Sequence, residues 1–251
     1  MKKFLLLGFL CVLLFVSPVS ATTLDLTGGG DGWINGGFFS VDEMNPAGTG
    51  YIKPFVRLQA VGPDKFDEEG TNTNKTTVLD EKPAWISVFQ LTSDHIFNIG
   101  SQDYVNFILD TDEPASKEAI NLTSLILYTD VSDQKYPYPT QPDAGLVAGV
   151  SWNMDVGPDG DSEVLTDYTL ISGGSGWWGD LSVLVPIQDT DLGKYFYLYS
   201  AFTECDNNPE EWSIVSTTAP VPEPATMLLL GSGLIGIAGL GRKFKKRFET
   251  E

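Results

Sequence analysis

An all-β domain, a single antiparallel β-sandwich or jelly-roll-like body, is the fold that this sequence of 251 residues predicts, on three observations. Apolar residues recur with a period of two over most of the chain, the spacing that sends successive side chains to opposite faces of a strand. The alternating runs are short and are separated by clusters of Gly, Pro, Asn and Asp, which punctuate strands with turns. No internal run of ten or more residues carries the stripe of an amphipathic helix, and no repeat at a fixed period points to a solenoid or propeller.

In chain order, Tyr51 to Val61 places Val56, Leu58 and Ala60 on one face and Arg57 and Gln59 on the other. Ala84 to Leu91 aligns Trp85, Phe89 and Leu91. Ile96 to Ile99, Gly100-Ser101 and Tyr104 to Leu109 read as a hairpin with a two-residue turn. Ser116 to Ile120 reads as one helical turn, followed by a strand over Leu122 to Tyr128. Leu146 to Met154 alternates cleanly, and Val164 to Leu170 is a further strand. Leu181, Val183, Val185 and Ile187 form an apolar row, and Tyr195 to Phe202 sets three tyrosines on one face. The total is about nine or ten strands. Val131 to Asp143 is the expected long loop, and Cys205 to Glu211 a polar, acidic one. Roughly 200 residues suffice for one core burying about 70% of the unfolded surface.

Both ends carry segments distinct from this body. Lys2 and Lys3 precede the apolar stretch Phe4 to Val16, and Val19-Ser20-Ala21 supplies the small residues that signal peptidase requires, so residues 1–21 read as a signal peptide cleaved after Ala21. Cys11 lies inside the apolar stretch, which argues against a lipoprotein signal. At the other end, Ser216 to Pro224 is a Thr- and Pro-rich spacer leading into Val221, Pro222, Glu223 and Pro224. Ala225 to Leu240 then runs without a charge for roughly 24 Å as a helix, slightly short of a bilayer core. Arg242, Lys243, Lys245, Lys246 and Arg247 follow as a basic stop that stays on the cytoplasmic side. Residues 225–247 are thus the expected single transmembrane helix with its stop, and the body at 22–215 lies outside the cytoplasm.

This tripartite tail over 221–247 resembles the PEP-CTERM sorting signal of Gram-negative bacteria, which the membrane transpeptidase exosortase recognises and removes. The resemblance implies an inner-membrane precursor, processing by signal peptidase and exosortase, and release to the outer surface or extracellular matrix. The body is similar to a group of exosortase-dependent surface proteins. The shared residues are Gly70 to Asn74, Trp85, Asp103 to Asp110, Leu122 to Tyr128, Tyr168, Tyr197 to Ser200 with Phe202, and Glu210-Glu211-Trp212. Thr71, where a bulkier aromatic is usual, and Asn208-Pro209, where Gly-Phe is expected, depart from the pattern.

Charge and residue usage narrow the function classes. Of 15 Lys and Arg, two lie in the signal and five in the tail, leaving 8; of 34 Asp and Glu, two lie beyond the tail, leaving 32. The body is therefore near −24, against −19 for the whole chain, a field that repels nucleic acid and anionic membrane. Cys205 alone survives signal removal, so no internal disulfide forms. The single His95 excludes a site built from several histidines, and no Gly-x-Ser-x-Gly elbow accompanies it. Cys205, flanked by Glu204 and Asp206, is a poor nucleophile. Among so many carboxylates no glycosidase pair stands out, so no catalytic constellation is assigned and no cofactor is required.

Three stretches invite a ligand reading. Asp155, Asp159, Asp161 and Glu163 share a glycine-containing loop, and Asp110, Asp112 and Glu113 cluster, so weak calcium binding is one reading and polar turns the other. Thr27 to Gly32 lacks the residues of a phosphate loop and reads as a flexible connection. Trp177-Trp178 in a glycine-rich loop offers an indole for stacking on a sugar, or a core anchor. The functional expectation is a structural or adhesive surface protein in contact with exopolysaccharide. The alternatives are a hydrolase using paired carboxylates and a calcium-stabilised carbohydrate-binding module.

Overall fold

The computed structural model describes residues 21–41, 54–60, 66–72, 79–82, 88–111, 119–131, 133, 149–170, 179–205 and 208–217. Within them the chain forms fourteen strands: β1 (Thr22–Asp25), β2 (Asp31–Ile34), β3 (Gly37–Ser40), β4 (Val56–Leu58), β5 (Asp67–Thr71), β6 (Phe89–Gln90), β7 (Ile96–Ile99), β8 (Gln102–Thr111), β9 (Ala119–Asp130), β10 (Val150–Asn153), β11 (Ser162–Asp167), β12 (Leu181–Ile187), β13 (Tyr195–Thr203) and β14 (Glu210–Ile214). Three 3-10 turns complete the described structure, at Ser93–His95, Tyr168–Leu170 and Asp189–Asp191. No helix among the described residues is long and apolar enough to cross a membrane. The expected helix at 225–247 and the signal segment at 1–20 lie outside the described residues.

The strands make two seven-stranded sheets packed face to face. One runs β1-β11-β9-β13-β5, with β10 beside β9 and β6 beside β13; the other runs β2-β3-β12-β8-β14-β4, with β7 beside β8. All pairs are antiparallel except β1 with β11, so the wholly antiparallel expectation is corrected at one edge. That pair joins residues 140 apart, as Thr23 Oγ1 bonded to Glu163 shows, and no local pattern announces it.

Aromatic rings from the two sheets meet in the middle. Phe39 faces Trp152 at 6.5 Å, Phe55 meets Phe196 edge-on at 5.2 Å, Phe107 lies 5.7 Å from Phe196, and Phe202 stacks near Trp212 at 6.4 Å. Each fully buried ring of this kind contributes about 1.5–3 kcal/mol of apolar burial. The Trp212 indole donates to Ser200 Oγ at 3.0 Å, which satisfies a polar tip that burial would otherwise strand. Asn72, fully buried, donates to the Phe196 carbonyl and accepts from the Leu198 amide. The motif residues Asp103 to Asp110, Leu122 to Tyr128, Tyr197 to Ser200, Phe202 and Glu210 to Trp212 lie on β8, β9, β13 and β14, the strands at the middle of the two sheets.

Several strand expectations hold, including the β7–β8 hairpin turning at Gly100, whose φ is 65°. Others change. Ala119 and Ile120 begin β9 instead of ending a helical turn. Glu210 and Glu211 are strand residues paired with Thr111 and Asp110, not part of a loop. Thr27 to Gly30 is a hydrogen-bonded turn: Asp25 accepts from the Thr27 amide and hydroxyl, and the Gly29 amide donates to Leu26. It carries the chain from one sheet to the other. The opposite side is stitched by residues 79–82, where Asp80 N–H bonds Glu69 on β5 and its carbonyl accepts from Gln59 beyond β4.

Candidate functional site

The β2–β3 hairpin turns at Asn35-Gly36, both at positive φ (46° and 83°), as a two-residue turn between right-twisted strands requires. Alternation then sends Ile34 and Phe39 inward and Trp33 and Phe38 outward. Gly37 is needed here, because a Cβ would stand 2.6 Å from the Trp152 ring that packs beneath the hairpin. Trp152 in turn donates its indole N–H to the Asn35 carbonyl at 2.9 Å.

On the outer surface of the second sheet, Trp33 lies 4.8 Å from Phe38 and 6.4 Å from Tyr104 of β8. Phe38 pairs with Leu184, and Tyr104 pairs with Pro186 on one side and Phe97 on the other. Tyr104 is almost covered, while Trp33 keeps 55% of its surface in solvent. The result is an apolar platform built on strands, with an indole as its exposed part. No sequence signal singled out Trp33, since a lone tryptophan between Gly32 and Ile34 reads equally well as core.

The acidic loop after β10 spends its carboxylates on the fold. Asp155 accepts from Ser124 Oγ and the Ser162 amide, and Asp159 accepts from the Asn35 amide at 2.7 Å while its own amide donates to Asn35. Burial pushes the Asp155 carboxyl above its ordinary range despite these bonds. Glu163 is held below its usual range by Thr23 and Asn121. Asp159 thus anchors the loop on the β2–β3 turn, Asp155 ties it to β9 and to the start of β11, and Glu163 bridges β1 and β9. Asp110 is buried on β8; Asp112 and Glu113, like Trp177 and Trp178, lie outside the described residues.

His95 closes a 3-10 turn. Its Nδ1 accepts from the Thr92 amide, its ring lies 5.5 Å from Phe89, and burial lowers its pKa. This is a capping role, not part of a triad.

One group of three potential metal donors, two carboxyls and a thiol, does converge among the described residues, and the sequence reading missed it. Glu68 of β5, Glu210 of β14 and Cys205 bring one donor atom each within 4.8 Å of one another, all fully buried. Cys205 reaches the interior because Glu204 adopts φ 66°, turning the chain inward after β13, and its amide bonds the Phe66 carbonyl. Burial pushes Glu68 up, offset in part by Glu210 and by the Ala60 amide at 2.9 Å.

Of the processing residues, Ala21 is described: it is exposed and immediately precedes Thr22, the first residue of β1. Val221, Pro222, Glu223, Pro224, Arg242, Lys243, Lys245, Lys246 and Arg247 lie outside the described residues. Ser216 and Thr217, the last described residues, both donate to the Asp94 carbonyl. No curated protein and no solved structure matches the chain. Residues 220–243 match the PEP-CTERM protein-sorting motif, a span that takes in the proline-flanked glutamate, the apolar run and the first two cations. The chain therefore carries a C-terminal PEP-CTERM protein-sorting motif, which implies an exported, membrane-sorted protein processed by exosortase.

Proposed function

We propose that the sandwich acts without catalysis on the outer surface or in the extracellular matrix of a Gram-negative bacterium, as a structural or adhesive component that lays its Trp33 face against polysaccharide. The exposed indole carries this reading: it sits 55% in solvent on the rigid Trp33–Phe38–Tyr104 platform. A flat apolar ring with a free N–H edge suits the faces of sugar rings. The strongly acidic surface favours a neutral glycan over a uronic-acid polymer. Against a hydrolase stands the position of the carboxyl pair that the fold brings together, Glu68 with Glu210, which is sealed between the sheets and not in a cleft.

The test is co-sedimentation of the processed protein, expressed with its export signals in an exosortase-bearing host, with insoluble neutral glucan and chitin. Retention that disappears in Trp33→Ala supports the reading; no retention, or equal retention of the variant, removes it. Mass spectrometry of the same material should find a C-terminus before the apolar run.

A further inference from the structure

The Glu68–Cys205–Glu210 cluster plays no part in sorting or in the Trp33 platform. All three residues are at most 1% exposed, in the core beside Trp212 and Phe202. Two carboxyl groups in contact inside a dry core are costly unless something positive lies between them. Glu68 Oε1 accepts from the Ala60 amide, whereas its Oε2 finds no N–H among the described residues, and the Glu210 carboxyl interacts with the same side chain. A buried thiol completes the set.

A recess of about 680 Å³ opens on the surface nearby, lined by Phe66, Asp67, Ala119, Thr203 and Glu204. Asp67 and Glu204 are the chain neighbours of Glu68 and Cys205, and both are exposed. They add anionic charge on a protein whose net charge is already −19, a field that concentrates divalent cations.

We infer that Glu68, Cys205 and Glu210 form a binding site for a divalent transition-metal ion of the zinc class, held within the core. Donor chemistry selects the class: a thiolate favours zinc over calcium, and three donors fall short of the six to eight oxygens calcium takes. Zinc bonds of about 2.3 Å to sulfur and 2.0–2.2 Å to oxygen place ligand atoms roughly 3.3–3.6 Å apart, so donor atoms within 4.8 Å of one another close by at most about 1.2–1.5 Å on binding. A second carboxylate oxygen supplies the fourth ligand. The ion joins β5 of one sheet to β14 of the other, and its role is to brace the sandwich.

The experiment uses the full-length chain purified without chelators. Elemental analysis should find one zinc per chain. Replacement by cobalt should give a sulfur-to-cobalt charge-transfer band, which Cys205→Ser abolishes and Glu163→Gln, at the surface, leaves in place. Glu68→Gln with Glu210→Gln should remove the stoichiometric metal. A wild-type chain that binds neither zinc nor cobalt overturns the inference, whatever the variants do.

Discussion

The two outer faces of the sandwich are both aromatic, yet they are used in opposite ways. On the first sheet, Ile126, Tyr128, Tyr197 and Tyr199 form a second buried cluster, with Val88, Tyr195 and Ala201 packed against it. On the second, Trp33 stands in solvent over Tyr104 and Phe38. Composition does not separate these faces; cover does. Three tyrosines at alternate positions of β13 look like a binding strip in sequence, but two of them are at most 2% exposed. Aromatic content therefore reports stability on one side of the molecule and availability on the other.

Truncation should expose that contrast most sharply. Tyr197→Ala removes a buried ring and should cost about 3–5 kcal/mol in urea or thermal unfolding. Alkaline titration comes next. Burial pushes Tyr128 up to about 12 from an ordinary 10.0, so its contribution is complete below pH 10 and is lost as pH rises toward 12. That loss is on the order of 3 kcal/mol, and phenolate absorbance should appear late and together with unfolding. Tyr199→Phe deletes the 2.5 Å bond from its hydroxyl to Glu69 and should cost about 1.5–3 kcal/mol. The smallest change in stability belongs to Trp33→Ala, within about 0.5 kcal/mol, although glycan retention is lost. If that variant unfolds as readily as Tyr197→Ala, Trp33 is a packing residue and the contrast between the faces collapses.

Periodicity made the central strands legible. The inward row Leu181, Val183, Val185 and Ile187 of β12 is buried as its alternation requires, and the single-face tyrosines of β13 are real. It failed where the ladder breaks step. In β9, Ser124 opposes Ala201 while Leu122 opposes Phe202, so Thr123 is an extra residue that shifts the phase. Leu122 thus shares the core face with Leu125 and Leu127, and a strict period of two puts them apart. The buried Glu68–Cys205–Glu210 group was illegible for a related reason. Its members look like solvated acids and a loop cysteine, and only the left-handed turn at Glu204 aims the thiol inward. The Asn35-Gly36 hairpin that presents Trp33 does carry a local signal, an Asn-Gly pair between short apolar runs. The tail was legible because its message lies in order and charge alone and needs no folding to be read.

The seams at the sides of the sandwich carry a further consequence. Unpaired strand borders invite neighbouring chains to zip on, a hazard that grows with crowding. Here the turn at Thr27 to Gly30 ties one border of each sheet together, and residues 79–82 tie the other. Copies delivered side by side at high density therefore meet two tied borders, which shifts cohesion among them toward side chains on the broad surfaces.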